Sequence, residues 1–135
     1  MTNPKDVLEK YGVIAVVGAS RSPVKEANRI PRQMQEAGYR VIPVNPVADE
    51  LFGEKVYRNL AEIPEAIEIV DVFRPAREAP DVVREAIAAC AKAVWLQLGI
   101  SSPEARRLAQ EAGLDYVENR CIAVEMVRYG LWKAA

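Results

Sequence analysis

The sequence predicts an α/β fold in which helices cover both faces of a mostly parallel five-stranded sheet. Five short apolar runs, rich in β-branched residues, alternate with stretches of helical periodicity. Several of these runs stop at a glycine or at Asn-Pro, which are typical of turns after strands. The 135 residues suffice for one hydrophobic core, and no repeat or low-complexity linker divides them. We therefore expect residues 1–135 to form one domain.

Each predicted strand is an apolar run with a turn at its carboxyl end. The first is a continuous aliphatic run stopped by Gly18, a composition typical of a strand buried on both faces. The second stops at Asn45-Pro46. The predicted strands are 13–17, 39–44, 67–73, 93–98 and 114–118.

The segments between the strands carry helix signals. Asn59 is a favourable N-cap for a short helical turn, and Ser102-Pro103 combines a capping hydroxyl with a proline at a helix start. The predicted helical segments are 26–37, 59–62, 80–91, 102–112 and 122–131, with a long turn-rich segment at 47–58. Strands that alternate with helices through right-handed crossovers give a doubly wound, Rossmann-like domain. Ligands of such domains bind outside the carboxyl ends of the strands.

Composition excludes several classes of function. The net charge of −1 argues against a general nucleic-acid binder, and no apolar run approaches the ~20 residues of a membrane span. The polar N-terminus has no signal-peptide core, and with only two cysteines the chain is expected in the reducing cytoplasm. The absence of histidine removes His-based triads, His metal sites and phosphohistidine chemistry. We expect neither a metal site nor a catalytic set of residues.

The turn after the first strand, Gly18-Ala19-Ser20-Arg21-Ser22, is the first candidate ligand site. A glycine lets backbone N–H groups approach a phosphate, and the start of the following helix favours negative charge. Ser20 and Ser22 add hydroxyl donors, and Lys25 and Arg29 add positive charge nearby. The turn lacks the full Gly-x-Gly-x-x-Gly fingerprint, so these residues alone leave open both a phosphate site and a plain capped turn.

The end of the second strand bears on which nucleotide could bind. NAD-binding domains usually place Asp or Glu there to accept hydrogen bonds from the ribose. Here the strand ends Val44-Asn45-Pro46, and the next carboxylates are Asp49 and Glu50. This sequence disfavours an NAD site and leaves NADP open, because a basic residue can meet the 2′-phosphate of NADP.

Five motifs follow one another along the chain, each at the carboxyl end of a predicted strand. They are Val17-Gly18-Ala19-Ser20, Val41-Ile42-Pro43-Val44-Asn45-Pro46, Val70-Asp71-Val72-Phe73-Arg74, Trp95-Leu96-Gln97-Leu98-Gly99 and Glu118-Asn119-Arg120-Cys121. Together they resemble the small stand-alone CoA-binding proteins of bacteria. That family is similar to the N-terminal CoA-binding domain of the succinyl-CoA synthetase α subunit. The resemblance extends from about Tyr11 to Leu131.

The resemblance implies a role for each turn. The turn at Gly18 would hold the CoA pyrophosphate, and Asn45-Pro46 would lie beside the nucleotide. Phe73-Arg74 would border the adenine and pantetheine, and the last two turns would line the pantetheine end. Together with the cations and hydroxyls of the first turn, the candidate ligand residues are Gly18, Ala19, Ser20, Arg21, Ser22, Lys25, Val44, Asn45, Pro46, Phe73, Arg74, Gln97, Gly99, Asn119, Arg120 and Cys121.

The resemblance favours a protein that binds coenzyme A or an acyl-CoA without catalysing a reaction. The synthetase α subunit carries a phosphorylated histidine in a second domain, and this chain contains no histidine. Transfer of a phosphoryl group through such a histidine is therefore not expected of this chain alone. Two alternatives remain open: an NAD(P)-binding oxidoreductase or regulatory subunit, and the CoA-binding half of a split acyl-CoA ligase with a larger partner. A homodimer is equally open.

Several single residues allow two interpretations. Cys121 is either a buried small residue or a thiol able to form a mixed disulfide with CoA, whereas Cys90 is expected in the core. Arg74 either contacts the ligand or pairs with Glu78 on the surface. The Gln97 amide, in an otherwise apolar strand, needs partners from the backbone or from a ligand.

Overall fold

Five parallel strands make up the central sheet, as the sequence predicts. A computed structural model describes residues 1–133. The strands are β1 (Val13–Val17), β2 (Arg40–Val44), β3 (Glu50–Leu51), β4 (Glu54–Lys55), β5 (Ile69–Val72), β6 (Ala93–Leu96) and β7 (Asp115–Val117). The sheet has the order β2-β1-β5-β6-β7, and β3 and β4 form a separate antiparallel hairpin. The chain runs outward from β1 to β2 and returns to β5, so the strand order reverses beside β1, where ligands of such sheets bind.

The helices connect the strands. They are α1 (Pro4–Lys10), α2 (Glu26–Glu36), α3 (Ala79–Ala88), α4 (Pro103–Glu111) and α5 (Ile122–Arg128), with 3-10 turns at Leu60–Glu62 and Ala76–Glu78. Both predicted N-caps are confirmed. The Asn59 side chain accepts a hydrogen bond from the Glu62 N–H at 3.2 Å, and the Ser102 hydroxyl accepts one from the Ala105 N–H at 3.1 Å. These caps satisfy amides that would otherwise lack a partner at the helix start.

Both faces of the sheet are buried. Successive side chains of a strand point in opposite directions, so each strand contributes to two cores. Ile14 and Val16 of β1 pack into a core that also contains residues of α1, α2 and α5. Ala15 and Val17 face the opposite core, which contains residues of α3 and α4. This two-faced burial explains why β1 and β6 appear in the sequence as continuous apolar runs.

Some segments differ from the sequence-based expectation. Helix α1 forms within the polar N-terminus, and the hairpin of β3 and β4 forms within the segment predicted as turns. Helix α5 ends at Arg128, three residues before its predicted end. The prediction of a core position for Cys90 is wrong. Helix α3 ends at Ala88, and Cys90 adopts a φ of 60° on the surface, where its side chain is exposed.

Among residues 1–133, none of the helices has the length and apolar character that crossing a lipid bilayer requires.

Candidate ligand-binding site

Gly18 lies where the strand order reverses. Its φ of 89° falls in the left-handed region, which glycine tolerates and other residues rarely adopt. A Cβ atom at this position would lie 2.8 Å from the backbone oxygen of Phe73 and 2.9 Å from Cδ of Arg74. The turn after β1 and the end of β5 therefore approach each other closely only because residue 18 has no side chain.

The N–H groups of the turn are partly used within the protein. The N–H groups of Gly18 and Ala19 both donate to the Val44 carbonyl at 3.2 Å, and the Ser20 N–H donates to the Ala27 carbonyl at 3.1 Å. The Ser20 hydroxyl oxygen accepts a hydrogen bond from the Ser22 N–H at 3.1 Å and keeps its own proton to donate. The first three N–H groups of the turn are thus not free for a phosphate.

The start of α2 retains donors that a phosphate could use. Lys25 is the N-cap residue, and no side chain caps this 11-residue helix. The N–H groups of Lys25 and Asn28 donate to the carbonyls of Ser22 and Lys25 at 3.1 and 3.0 Å, so those of Glu26 and Ala27 are the donors left for an anion. The positive end of the helix dipole adds to their attraction for an anion. The side chains of Arg21, Lys25 and Arg29 are exposed around this helix start. Positive charge and backbone donors therefore coincide beside Gly18.

Asn45 braces the loop that follows β2. Its amide nitrogen donates to the Ala19 carbonyl at 2.8 Å, and its amide oxygen accepts from the N–H groups of Val47 and Ala48 at 2.8 Å. Both ends of the side chain are thereby used. The family resemblance implies that this residue lies beside a nucleotide, and the structure places it just after β2 with its polar atoms bonded to the protein.

Arg58 is a residue that sequence reasoning missed. One terminal nitrogen donates to the carbonyls of Asn45 at 3.0 Å and Ala48 at 2.6 Å, and the other donates to Asp49 at 2.8 Å. Arg58 therefore fixes the loop after β2, and Asp49 forms an exposed ion pair with it there. No local sequence signal distinguishes Arg58 from any other surface arginine, because its partners come from a loop about ten residues earlier.

Two clefts open on either side of Gly18 and Arg74. The β2-side cleft has a volume of about 340 Å³ and the β6-side cleft about 420 Å³, both within the range of small-molecule sites. The β2-side cleft is lined by Val17, Gly18, Val44, Asn45, Pro46, Arg58, Arg74, Glu78, Asp81, Val82 and Glu85. The β6-side cleft is lined by Lys25, Glu26, Ala27, Phe73, Arg74, Pro75, Gln97, Leu98 and Ile100. Arg74 belongs to both linings.

Arg74 forms the surface ion pair that the sequence left as one of two alternatives. Its Nε donates to one carboxylate oxygen of Glu78 at 3.1 Å, and an Nη donates to the other at 3.0 Å. The guanidinium holds the pKa of Glu78 below its usual value. Both side chains remain partly exposed, at 45% for Arg74 and 37% for Glu78.

A buried polar pair underlies the β6-side cleft. The Gln97 amide nitrogen donates to Asp71, and its amide oxygen accepts from the Ile122 N–H at 3.4 Å. Asp71 is 1% exposed, and its burial raises the pKa of its carboxyl group to about 8. The hydrogen bond from Gln97 acts in the opposite direction and is the smaller effect. The Gln97 amide is thus satisfied by the protein itself.

The turns after β6 and β7 are bonded to each other. Asn119, with a φ of 56°, accepts from the Gly99 N–H at 2.7 Å through its side chain and donates its own N–H to the Ile100 carbonyl at 3.0 Å. The indole of Trp95 donates to the Arg120 carbonyl at 2.8 Å. Neither cleft is lined by Gly99, Asn119, Arg120 or Cys121.

Cys121 lies on a third surface groove. This groove runs between α2 and α5 and has a volume of about 380 Å³. It is lined by Glu26, Arg29, Ile30, Gln33, Cys121, Ala123, Val124 and Val127. The thiol is partly buried and lines neither of the two clefts that flank Arg74, although Glu26 belongs to the lining of both this groove and the β6-side cleft.

Comparison with known proteins identifies the family. Residues 12–127 match the family described as CoA binding domain. The chain is 38% identical over 129 residues to the uncharacterized protein YneT of Bacillus subtilis, which covers 92% of this chain and 96% of YneT. It is also similar to the structure of cell-free ID.343 from Thermus thermophilus, with 40% identity, a TM-score of 0.88, and coverage of 94% of this chain and 98% of that one.

Longer relatives share only part of their length with this chain. The ADP-forming acetate–CoA ligase II of Archaeoglobus fulgidus is 32% identical over 74 residues, which is 53% of this chain and 11% of the ligase. The chain therefore spans about a tenth of that enzyme. The match over residues 12–127, the agreement with YneT over nearly its full length and the parallel five-stranded sheet lead to one conclusion. The chain belongs to the CoA-binding domain family.

Proposed function

We propose that this chain binds coenzyme A or an acyl-CoA at the carboxyl edge of its sheet, as a binding protein without a catalytic set of its own. The observation that carries the proposal is the close approach at Gly18, beside an uncapped helix start and between two clefts. A diphosphate group there would meet free backbone donors and positive side chains, which is how helix starts bind phosphates. The proposal takes residues 1–135 as one CoA-binding domain.

Each part of the ligand has a matching surface. The pyrophosphate would lie at the start of α2, within reach of the Ser20 hydroxyl and of the exposed Arg21 and Lys25. The adenosine would enter the β2-side cleft, whose apolar lining residues are Val17, Val44, Pro46 and Val82. The pantetheine, and any acyl group, would lie along the β6-side cleft over Phe73, Pro75, Leu98 and Ile100. Leu98 is 65% exposed, and a bound chain would cover it.

The loop after β2 argues against a nicotinamide dinucleotide. A ribose-binding carboxylate is expected at the end of that strand, where Asn45 stands instead. The nearby Asp49 lies further along the loop, and one of its carboxylate oxygens already accepts a hydrogen bond from Arg58 at 2.8 Å. CoA needs no such carboxylate.

Calorimetric titration with CoA, acetyl-CoA, NAD and NADP tests the proposal. We expect binding of CoA or acetyl-CoA and none of NAD or NADP. Lys25→Gln should weaken CoA binding at low salt, and Lys92→Gln, which removes the same charge from an exposed position before β6, should not. Binding of a nicotinamide cofactor, or no binding of any of the four, would show that the ligand assignment is wrong.

A larger ligase partner is a separate proposal, suggested by the similarity to a fragment of an ADP-forming acetate–CoA ligase. Such a partner would carry the histidine that this chain lacks. Affinity purification of the tagged chain from its own cells, followed by mass spectrometry, should then recover a second CoA-ligase subunit. Recovery of this chain alone, as a monomer or a homodimer, would contradict it.

A further inference from the structure

Among residues 1–133, Arg74 is the residue that lines both clefts. It contributes to the linings of the β2-side cleft and the β6-side cleft. Its Cδ lies 2.9 Å from where a Cβ of Gly18 would be, so its stem runs over the turn after β1. A ligand that spans both clefts must pass beside this side chain.

The guanidinium of Arg74 is already engaged by a carboxylate. Nε and one Nη donate to the two oxygens of Glu78, in the two-point arrangement that arginine also uses with phosphate groups. Glu78 thus occupies the edge of the guanidinium that a phosphate would need. Glu78 also lines the β2-side cleft, together with Asp81 and Glu85.

The ion pair is weak enough to be exchanged. Both side chains are partly exposed, and solvent-exposed ion pairs contribute little to stability. A pyrophosphate carries two negative charges and would be anchored independently by the start of α2. It therefore competes favourably with a single carboxylate for Arg74.

We propose that Glu78 is an internal competitor of the ligand, which holds Arg74 between the two clefts in the free protein and releases it to the pyrophosphate on binding. This inference rests on the proposed CoA function. It makes Glu78 a residue that sets affinity through its hold on Arg74, and it reconciles the two roles that the sequence leaves open for Arg74. Binding breaks one ion pair and forms another, so the guanidinium is never without an anionic partner.

A double-mutant cycle tests the exchange. CoA affinity is measured by calorimetry for the wild type, Glu78→Gln, Arg74→Gln and the double variant. We expect Arg74→Gln to weaken binding about ten-fold and Glu78→Gln to tighten it up to about five-fold. In the Arg74→Gln background, Glu78→Gln should change the affinity less than two-fold, because nothing remains to be released.

Asp81→Asn is the matched control, since Asp81 lines the same cleft but pairs with Arg84. It removes the same charge without freeing Arg74, so it should tighten binding clearly less than Glu78→Gln. Three results would overturn the inference. Asp81→Asn could tighten CoA binding as much as Glu78→Gln does, or Glu78→Gln could tighten it as much in the Arg74→Gln background as in the wild type. The third is that Glu78→Gln weakens CoA binding. If the wild type does not bind CoA at all, the proposed function fails as well, which separates that outcome from the other three.

Discussion

Replacing Gly18 with alanine should damage both stability and binding, and the cost follows from the geometry of the turn. A non-glycine residue in the left-handed region costs ~1–2 kcal/mol. The added Cβ would also lie 2.8 Å from the backbone oxygen of Phe73, which cannot move aside as a flexible side chain does. Forcing an extra carbon into such a contact costs ~1–3 kcal/mol. The sum is ~2–5 kcal/mol.

Gly113→Ala is a matched control for this substitution. Gly113 has a φ of 76°, and nothing lies within 4 Å of the position of its Cβ. Its replacement therefore costs only the ~1–2 kcal/mol of the backbone conformation. For a domain of this size the melting temperature should fall by about 5 °C for Gly113→Ala and by about 10 °C or more for Gly18→Ala.

Thermal unfolding followed by circular dichroism measures the two stabilities, and calorimetry with CoA measures binding. We expect CoA binding to be lost or strongly weakened by Gly18→Ala and retained by Gly113→Ala. Equal melting temperatures for the two variants would refute the claim that the contact with Phe73 makes glycine necessary. Unchanged CoA affinity in folded Gly18→Ala would refute the place assigned to the turn.

Three further predictions concern single hydrogen-bonding groups. Asp71 holds its proton in the folded state because its pKa is raised to about 8, so stability should fall as pH rises from about 4 to about 8, and Asp71→Asn should flatten this dependence in melting curves. Ser102→Ala should lower the free energy of unfolding in urea by about 1 kcal/mol, whereas Ser101→Ala should change it by less than about 0.5 kcal/mol. Arg58→Ala should accelerate hydrogen exchange of the Val47 and Ala48 amides without affecting amides of β6.

Each of these three predictions would be contradicted by one specific result. An unchanged slope of melting temperature against pH in Asp71→Asn would mean that another group causes the pH dependence. Equal effects of the two serine substitutions on the free energy of unfolding would show that the lost N-cap at Ser102 is not the cause of the destabilisation. Unchanged exchange of both loop amides in Arg58→Ala would show that the loop after β2 is held by Asn45 alone.

The sheet was predictable because its signal is local. A strand buried on both faces is mostly apolar, so β1 and β6 appear in the sequence as unbroken apolar runs, and β5 departs from this pattern only at Asp71. The cap at Ser102 was also predictable, since its partner lies three residues away. The hairpin of β3 and β4 has only two residues in each strand, which is too short for any periodicity to appear.

The roles of the polar site residues depended on partners distant in sequence. Asn119 bonds with Gly99 and Ile100, about twenty residues earlier, and Gln97 bonds with Asp71 on the neighbouring strand. A sequence motif shows that such an amide lies at the edge of the sheet, but it does not show whether the amide faces the protein or a ligand. Cys90 illustrates the same limit, because its exposure depends on where α3 stops.

The carboxyl edge of the sheet has two parts that differ in rigidity, because the turns after β6 and β7 are hydrogen-bonded to each other. On one side, Gly99, Asn119 and Trp95 hold the backbone in a shape that is set before any ligand arrives. On the other side, Arg21 and Lys25 project into solvent and retain their rotamer freedom. In the proposed CoA site, the entropic cost of ordering the ligand contacts would therefore fall on a few exposed side chains. Substitutions at those positions should then change ligand affinity with little effect on folding, so affinity and stability could evolve separately.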